Sequence, residues 1–312
     1  NKSLFGDNQE AGEYRLVDKV PNPQVGTVVM LNLTHQDETM REIFQNKDFR
    51  VGLSHAINRQ DIIDTIAVGQ GRPQQVAPAE GQPHDIGDEM RMQYTEYDTD
   101  LANEHLDKVL PEKDDAGFRL KPDGERLSFN IEVAAVQTQN IDILEMVVQD
   151  WAEVGVEATV KTEDRTIFYE RKAANQHDAG VWGQPTGLFY VALLDPRGLF
   201  PYSDESLWAI GWVRWNNSPD NELAQEPPEP TQQQMELYEQ VLAAGDPDQQ
   251  AELLQQIAEI AKEQFYHIGM YVPTVPGYAV VNQNMINVPV MFGSWQYPNP
   301  GPALPESWSF KA

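Results

Sequence analysis

Residues 49–64 read Phe49-Arg50-Val51-Gly52-Leu53-Ser54-His55-Ala56-Ile57-Asn58-Arg59-Gln60-Asp61-Ile62-Ile63-Asp64, and Gly69-Gln70-Gly71-Arg72-Pro73 follow shortly after. Asp48 is placed to cap a first short helix, on which Phe49, Gly52, Leu53 and Ala56 fall at i, i+3, i+4 and i+7 and share one buried face. Asn58 restarts the chain as a second N-cap, with Asp61 three residues on in the place of the usual capping-box acid. Ile62, Ile63 and Ile66 then resume the apolar stripe. Gly69 and Gly71 end that helix, and Pro73 prevents its continuation. No side chain in the stretch is a convincing nucleophile or metal ligand, so it reads as a packed helix pair.

Outward from this pair, the 312-residue chain is long enough to bury one large core or two modest ones. Its net charge of −27 argues against a nucleic-acid or anionic-membrane surface, because neither attracts a protein of that sign. The absence of cysteine rules out a disulfide framework and a thiolate metal site, and is compatible with the periplasm. No apolar run reaches the roughly 18 residues that a membrane span needs.

Residues 1–24 are polar and end in Pro21-Asn22-Pro23, which reads as an irregular lead-in. Val25–Leu33 is rich in β-branched residues and predicts a short buried strand. Asp98 caps a helix carrying Ala102, Leu106, Val109 and Leu110 on one face. Leu127, Phe129, Ile131 and Val133 alternate as a strand; Leu144, Val147, Val148 and Trp151 mark a helix ending at Gly155; Val156, Ala158 and Val160 alternate again. That order is a βαβ unit with a parallel pair and a right-handed crossover. Asp164 starts another helix with Phe168 and Tyr169, and Ala179–Gly183 is a small strand. Two more helices span roughly 232–244 and 247–264, divided by Gly245-Asp246-Pro247, and 268–281 reads as extended.

Enzyme signatures are missing: there is no G-x-S-x-G elbow, P-loop, dinucleotide fingerprint or H-E-x-x-H. His35, His55, His84, His105, His177 and His267 show no i, i+4 pairing, and no cofactor or metal site is expected. Carboxylates are so abundant that a hydrolase using an acid pair stays open as a different class of reading, although nothing singles out its two acids.

The richest aromatic region runs from Leu188 to Trp215 and holds Phe189, Tyr190, Phe200, Tyr202, Trp208, Trp212 and Trp215. The three tryptophans stand at i, i+4 and i+7, the spacing of a core stripe. Gly211 and Asn216-Asn217 make a regular buried helix improbable, which tilts the balance toward an aromatic stacking wall for a sugar or a side chain. Asp195 and Arg197 could fix a charged or hydroxylated ligand, although a surface salt bridge is the commoner fate of such a pair.

The stretch from residue 49 resembles the "VRxALxxAIDRxxIIxxxxxGxGxP" signature of the family 5 extracellular solute-binding proteins, the dipeptide, oligopeptide and nickel receptors of ABC importers. Asn58 stands where the family often has Asp, and Gly52 where it often has a larger residue. Three further strings are similar: Asn32 within Val25–Thr34 fits "VGxxxxNxxxxPF", 97–102 fits "YDPxxAxxLLxxAG", and 149–156 fits "LQxxLxxIGIxV".

The resemblance implies an α/β, periplasmic binding protein-like fold (type II, cluster C), present mainly as its second lobe with βαβ units. Residues 1–24 would lead in from a first lobe, 25–275 form the second lobe, and 276–312 return to the first. Because the family's signature lies past the middle of a longer chain, the sequence reads as the C-terminal portion of a receptor. A fragment of that kind is expected to bind solute weakly or not at all. The implied protein is no enzyme. It is a periplasmic monomer that takes a peptide or oligosaccharide between two lobes and passes it to an inner-membrane permease, with no nucleic-acid partner. The family's ligand-lining segment, "GW" to "DP", falls on Trp182 and, with longer spacing, on Asp195-Pro196. The positions after Trp182 are Gly183, Gln184, Pro185 and Thr186, so the Asp that pairs a peptide's α-ammonium is absent from its usual place. The expected ligand-binding residues are therefore Trp182, Gln184, Asp195, Arg197, Trp208, Trp212 and Trp215. Oligopeptide is the default solute and oligosaccharide the rival.

Overall fold

The computed structural model describes residues 2–19, 24–275, 277–292 and 304–311. Pro21-Asn22-Pro23, at the end of the expected lead-in, and 293–303 of the expected return segment lie outside the described residues. The chain divides into two compact units, residues 1–23 with 273–312, and residues 24–272.

The smaller unit begins with α1 (Lys2–Asp7) and β1 (Tyr14–Lys19), which corrects the reading of residues 1–24 as irregular. The polarity that suggested a lead-in reflects a strand with little to bury, since only Val17 of β1 is buried. It packs with Val281 in a small satellite core.

In the larger unit the chain runs through β2 (Val28–Leu31), α2 (Glu38–Gln45), α3 (Lys47–His55), α4 (Arg59–Ile66), β3 (Gly71–Pro73), α5 (Asp88–Met92) and α6 (Thr99–Asp107). It continues through β4 (Ser128–Ala134), α7 (Thr138–Glu153), β5 (Glu157–Glu163), α8 (Arg165–Ala173), β6 (Ala179–Trp182), α9 (Phe189–Leu194) and α10 (Ile210–Asn217). The long antiparallel helices α11 (Glu229–Ala243) and α12 (Pro247–Gln264) and the strands β7 (Ile268–Gly269) and β8 (Tyr271–Pro273) complete it. In the smaller unit, β1 lies between β9 (Tyr278–Asn282) and β11 (Met291–Phe292), while β10 (Met285–Ile286) pairs with β12 (Ser309–Phe310).

The central sheet has the order β5-β4-β6-β2-β7. β4 pairs in parallel with β5 from Ser128 opposite Glu157 to Ala134 opposite Glu163, so the expected βαβ unit is formed. β6 is parallel to β4, whereas β2 runs antiparallel to both β6 and β7, which makes the sheet mixed. Asn32, just past β2, is fully buried and satisfied. Its Nδ2 donates to Asn175 Oδ1 and to the His177 carbonyl, each at 2.9 Å, and its Oδ1 accepts from the Thr34 amide at 3.0 Å.

The helix pair packs against this sheet and α7. Asn46, and not Asp48, is the N-cap of α3: its side chain accepts from the Asp48 amide at 3.0 Å, which leaves Asp48 in the first turn. Asn58 caps α4 by accepting from the Asp61 amide at 3.1 Å, as the sequence predicts. Trp151 of α7 donates from Nε1 to the Leu53 carbonyl at 3.0 Å and so ties the βαβ unit to the pair. Gly52 has a steric reason. A Cβ there would lie 2.7 Å from Leu106 Cγ and 2.9 Å from the Ala102 carbonyl oxygen, so α3 and α6 approach more closely than any larger residue permits.

Two arginines of the opening stretch are buried in a way their sequence positions do not announce. Arg50 donates to the carbonyls of Phe44, Gln264 and Phe265, satisfying the ends of α2 and α12. Arg59 donates to the Gly269 carbonyl at 3.0 Å and to the Ser54 carbonyl at 2.8 Å, joining α4 to β7. Burial lowers the pKa of both guanidinium groups, to about 10 for Arg50 and about 9 for Arg59.

Candidate functional site

The parallel strands β4, β5 and β6 end on one edge of the sheet, the edge outside which open α/β sheets place their ligands. β6 delivers Trp182 there. β5 ends at Glu163 and passes directly into α8, whose N-cap Asp164 accepts from the Thr166 amide at 2.8 Å. α8 is pinned across the sheet by Arg171, whose Nε donates to the buried Glu132 carboxylate at 2.9 Å.

One face of α8 carries Arg165, Phe168, Tyr169 and Lys172 at i, i+3, i+4 and i+7, and that face meets Trp182. The Trp182 ring stacks on the buried Phe168 ring with centroids 5.9 Å apart and planes 23° apart, and meets Tyr169 edge-on at 5.6 Å. The Arg165 guanidinium lies 5.4 Å from the Tyr169 centroid and 5.6 Å from that of Trp182. The Lys172 ammonium sits over the Tyr169 ring at 4.0 Å. Trp182 is half-buried, so the aromatic group is a supported shelf.

Behind the shelf is a charged cluster. Lys172 Nζ lies 3.2 Å from Glu205 Oε1, Arg197 reaches Glu205 at 3.7 Å, and Arg197 Nε lies 3.3 Å from Asp195. Burial lowers the Lys172 pKa, with the attraction of Glu205 opposing it, and burial raises that of the Asp195 carboxyl against the pull of Arg197. Gln184 is fully buried and donates from Nε2 to the Glu205 carbonyl at 3.2 Å. Asp204 pairs with Arg214, whose second terminal nitrogen lies 2.9 Å from the carboxylate.

The structure thus brings Gln184, Asp195 and Arg197 together with Glu205 and Lys172 behind Trp182. The tryptophan stripe goes elsewhere. Residues 210–217 form a regular helix, contrary to the expectation drawn from Gly211 and Asn216-Asn217. Gly211 serves close approach: its amide donates to Thr34 Oγ1 at 3.0 Å, and a Cβ there would stand 2.9 Å from Thr34 Cβ. Trp208 is fully buried and stacks on Tyr266 at 4.3 Å, and the buried Trp212 meets it edge-on. The stacking-wall expectation is corrected for these two indoles, which are core; Trp215 is half-buried. The residues beside Trp182 that the sequence reading did not name are Arg165 and Lys172. Their signal was the i, i+3, i+4, i+7 spacing with Phe168 and Tyr169.

A model of the bacterial extracellular solute-binding proteins, family 5 middle region, matches residues 6–190. The chain belongs to this family. Among solved structures it is similar to an oligopeptide-binding protein OppA at 30% identity and a TM-score of 0.78, covering 100% of this chain and 51% of that one. The oligopeptide-binding protein AppA from Bacillus subtilis, in complex with a nonapeptide, has 16% identity and a TM-score of 0.70, over 99% and 55% of the two chains. The periplasmic binding protein MelB from Agrobacterium fabrum, in complex with stachyose, has 19% identity and a TM-score of 0.69, over 89% and 41%. The last two likenesses concern the fold. A comparison with curated proteins finds no match. The chain spans about half the length of the structures it resembles. The periplasmic binding protein-like α/β fold expected from the family is the fold observed.

Proposed function

We propose that the protein is the solute-binding component of an ABC importer, acting outside the cytoplasmic membrane and delivering an oligopeptide-like solute to a membrane permease. Membership of family 5, together with a supported aromatic shelf at the carboxyl edge of the sheet, carries this reading. In it, residues 25–275 form the second lobe of the receptor, and 1–24 and 276–312 lead from and back to the first. The mechanism is capture without chemistry: the solute displaces water from the shelf, and its binding energy favours a closed state that the permease recognises.

Of the expected contact residues, Trp182 takes the solute's apolar surface, and Asp195 and Trp215 have surface left to contribute. Gln184 and Arg197 act from behind, holding Glu205 and the loop that carries Asp195. A second reading, an oligosaccharide solute, is favoured by one observation: Asp195, Asp204 and Glu205 are each already paired with a cation, which leaves hydroxyl-rich ligands no worse served than ammonium-bearing ones.

Calorimetric titration with a peptide and oligosaccharide panel up to millimolar concentration, followed also by the difference in tryptophan fluorescence between the protein and Trp182→Phe, tests the proposal. Weak binding that saturates only toward millimolar, or none by this chain alone, with no turnover of chromogenic peptides or glycosides, is the expected result. Turnover at the rate of a hydrolase would overturn the proposal, and tight binding by this chain alone would overturn the reading of residues 25–275 as one lobe of a two-lobed receptor.

A further inference from the structure

The fold sorts charge by sign between core and surface. Arg50, Arg59, Arg91, Arg119, Lys172 and Arg197 are buried, whereas Glu132 is the buried acid among the described residues. The solvent-facing charge is therefore more negative than the −27 of the whole chain. Much of it gathers on three helices. α7 carries Asp142, Glu145, Asp150 and Glu153 with no lysine or arginine, and Glu153 ends the helix, where the dipole disfavours an anion. From Trp215 to Ala261 there are ten acidic residues and no lysine or arginine. Lys262 of α12 is taken by Glu259 at 2.6 Å.

Like charges on these helices stand where they meet. Asp142 and Glu145, Asp150 and Glu153, and Glu236 and Glu239 are i, i+3 pairs, and Asp248 and Glu252 are an i, i+4 pair. Among the described residues, none of these eight carboxylates has a cation within ion-pairing distance. Solubility needs a net charge of only about 2–8 in magnitude for a small domain, so it does not account for pairs that repel within one helix. Neighbours at this spacing lie about 5–6 Å apart. The screening length is about 8 Å at physiological ionic strength and about 3 Å at 1 M, so only molar salt screens charges this close. We propose that the protein is built for a medium of molar salt, in which screening of the carboxylate faces of α7, α11 and α12 is a condition of its stability. The salt acts over whole helix faces and not at a coordination site. This holds whichever solute class the protein takes.

Thermal unfolding at pH 7 in about 0.1 M and about 2 M NaCl tests this, in the unsubstituted protein and in the triple variant Glu145→Lys, Glu239→Lys, Glu252→Lys. All three positions are exposed, and each change turns a repelling pair into an attracting one. The unsubstituted protein should gain about 10 °C or more in Tm between the two salt concentrations, or fold only at the higher one. The triple variant should melt higher than it at low salt and show a narrower gap. The corresponding Gln triple, which removes charge without adding any, should narrow the gap to a lesser extent, and it carries the test if the Lys set does not fold. A gap of less than about 3 °C in the unsubstituted protein, the effect of roughly one exposed pair, would overturn the proposal. A gap of equal size in the protein and its variants would overturn it too. So would recovery of the whole gap by about 1 mM CaCl2 at low NaCl, a concentration too small to screen and sufficient only for a specific cation site.

Discussion

The indole of Trp208 lies parallel to the ring of Tyr266, with centroids 4.3 Å apart and planes 21° apart, and neither ring reaches solvent. Trp182, by contrast, is half-buried on a shelf of its own. The two tryptophans should therefore separate stability from binding. Trp208→Ala is expected to cost about 3–5 kcal/mol, the range for emptying a large aromatic site in a core. Trp182→Ala should cost about 1 kcal/mol of stability, that of an aromatic pair, while weakening solute affinity at least severalfold. Urea midpoints for both variants, with titration of the second, check the contrast.

Arg59 holds the Ser54 and Gly269 carbonyls in a fully buried setting. Arg59→Met keeps the volume and removes the guanidinium donors, so the Gly269 carbonyl loses that donor and the Ser54 carbonyl keeps only backbone amides, such as that of Ile57 at 3.3 Å. A loss of about 3 kcal/mol is expected, because buried unsatisfied polar groups cost about 1–3 kcal/mol each. An unchanged denaturation midpoint would show that the carbonyls find other donors.

Gly52 should resist enlargement. Gly52→Ala gains about 1 kcal/mol of helix propensity but forces α3 away from Ala102 and Leu106. Overpacking of this kind costs about 1–3 kcal/mol, so a net loss of up to about 2 kcal/mol is expected. Combining it with Leu106→Ala, which removes the Cγ contact, should give a cost smaller than the sum of the two single losses. Strict additivity in that cycle would refute the contact as the cause.

Acid should destabilise the larger unit. His177 and His267 are held neutral by burial, their pKa values lowered from 6.5 to about 4. Between those values the unfolded chain binds protons that the folded chain does not, so stability is complete above about pH 6.5 and erodes as pH falls toward 4. Burial also lowers the pKa of His55 and His84, which acts in the same direction. The two buried residues set an expected loss on the order of 3 kcal/mol each across that window. Urea midpoints at pH 7, 5.5 and 4.5 measure it, and His267→Gln should flatten the profile.

The sequence carried the elements whose signals are local. Asn58 and Asp98 cap where their spacing predicts, and the β4–α7–β5 unit follows from a change of period from two to 3.6 and back. Trp182 was singled out by its resemblance to the family's "GW" segment, and the structure places it at the end of β6 on the carboxyl edge. The fate of the other tryptophans was not, since i, i+4, i+7 spacing is the same for a core stripe and a binding wall. Gly211 misled for a related reason: a glycine reads as a helix breaker until its neighbour, here Thr34, is known.

By itself, the sequence determined the family and the α/β architecture, because caps, periodicity and the stretch from Phe49 to Pro73 are properties of residues near one another in the chain. Only the tertiary structure decided which charges are spent. Lys172 meets Glu205 across 33 positions, and Arg59 meets Gly269 across 210, so no local pattern could show those groups satisfied. Burial and pairing are properties of what the fold brings alongside a residue, and they fix whether a charged side chain supports the core or waits for a ligand.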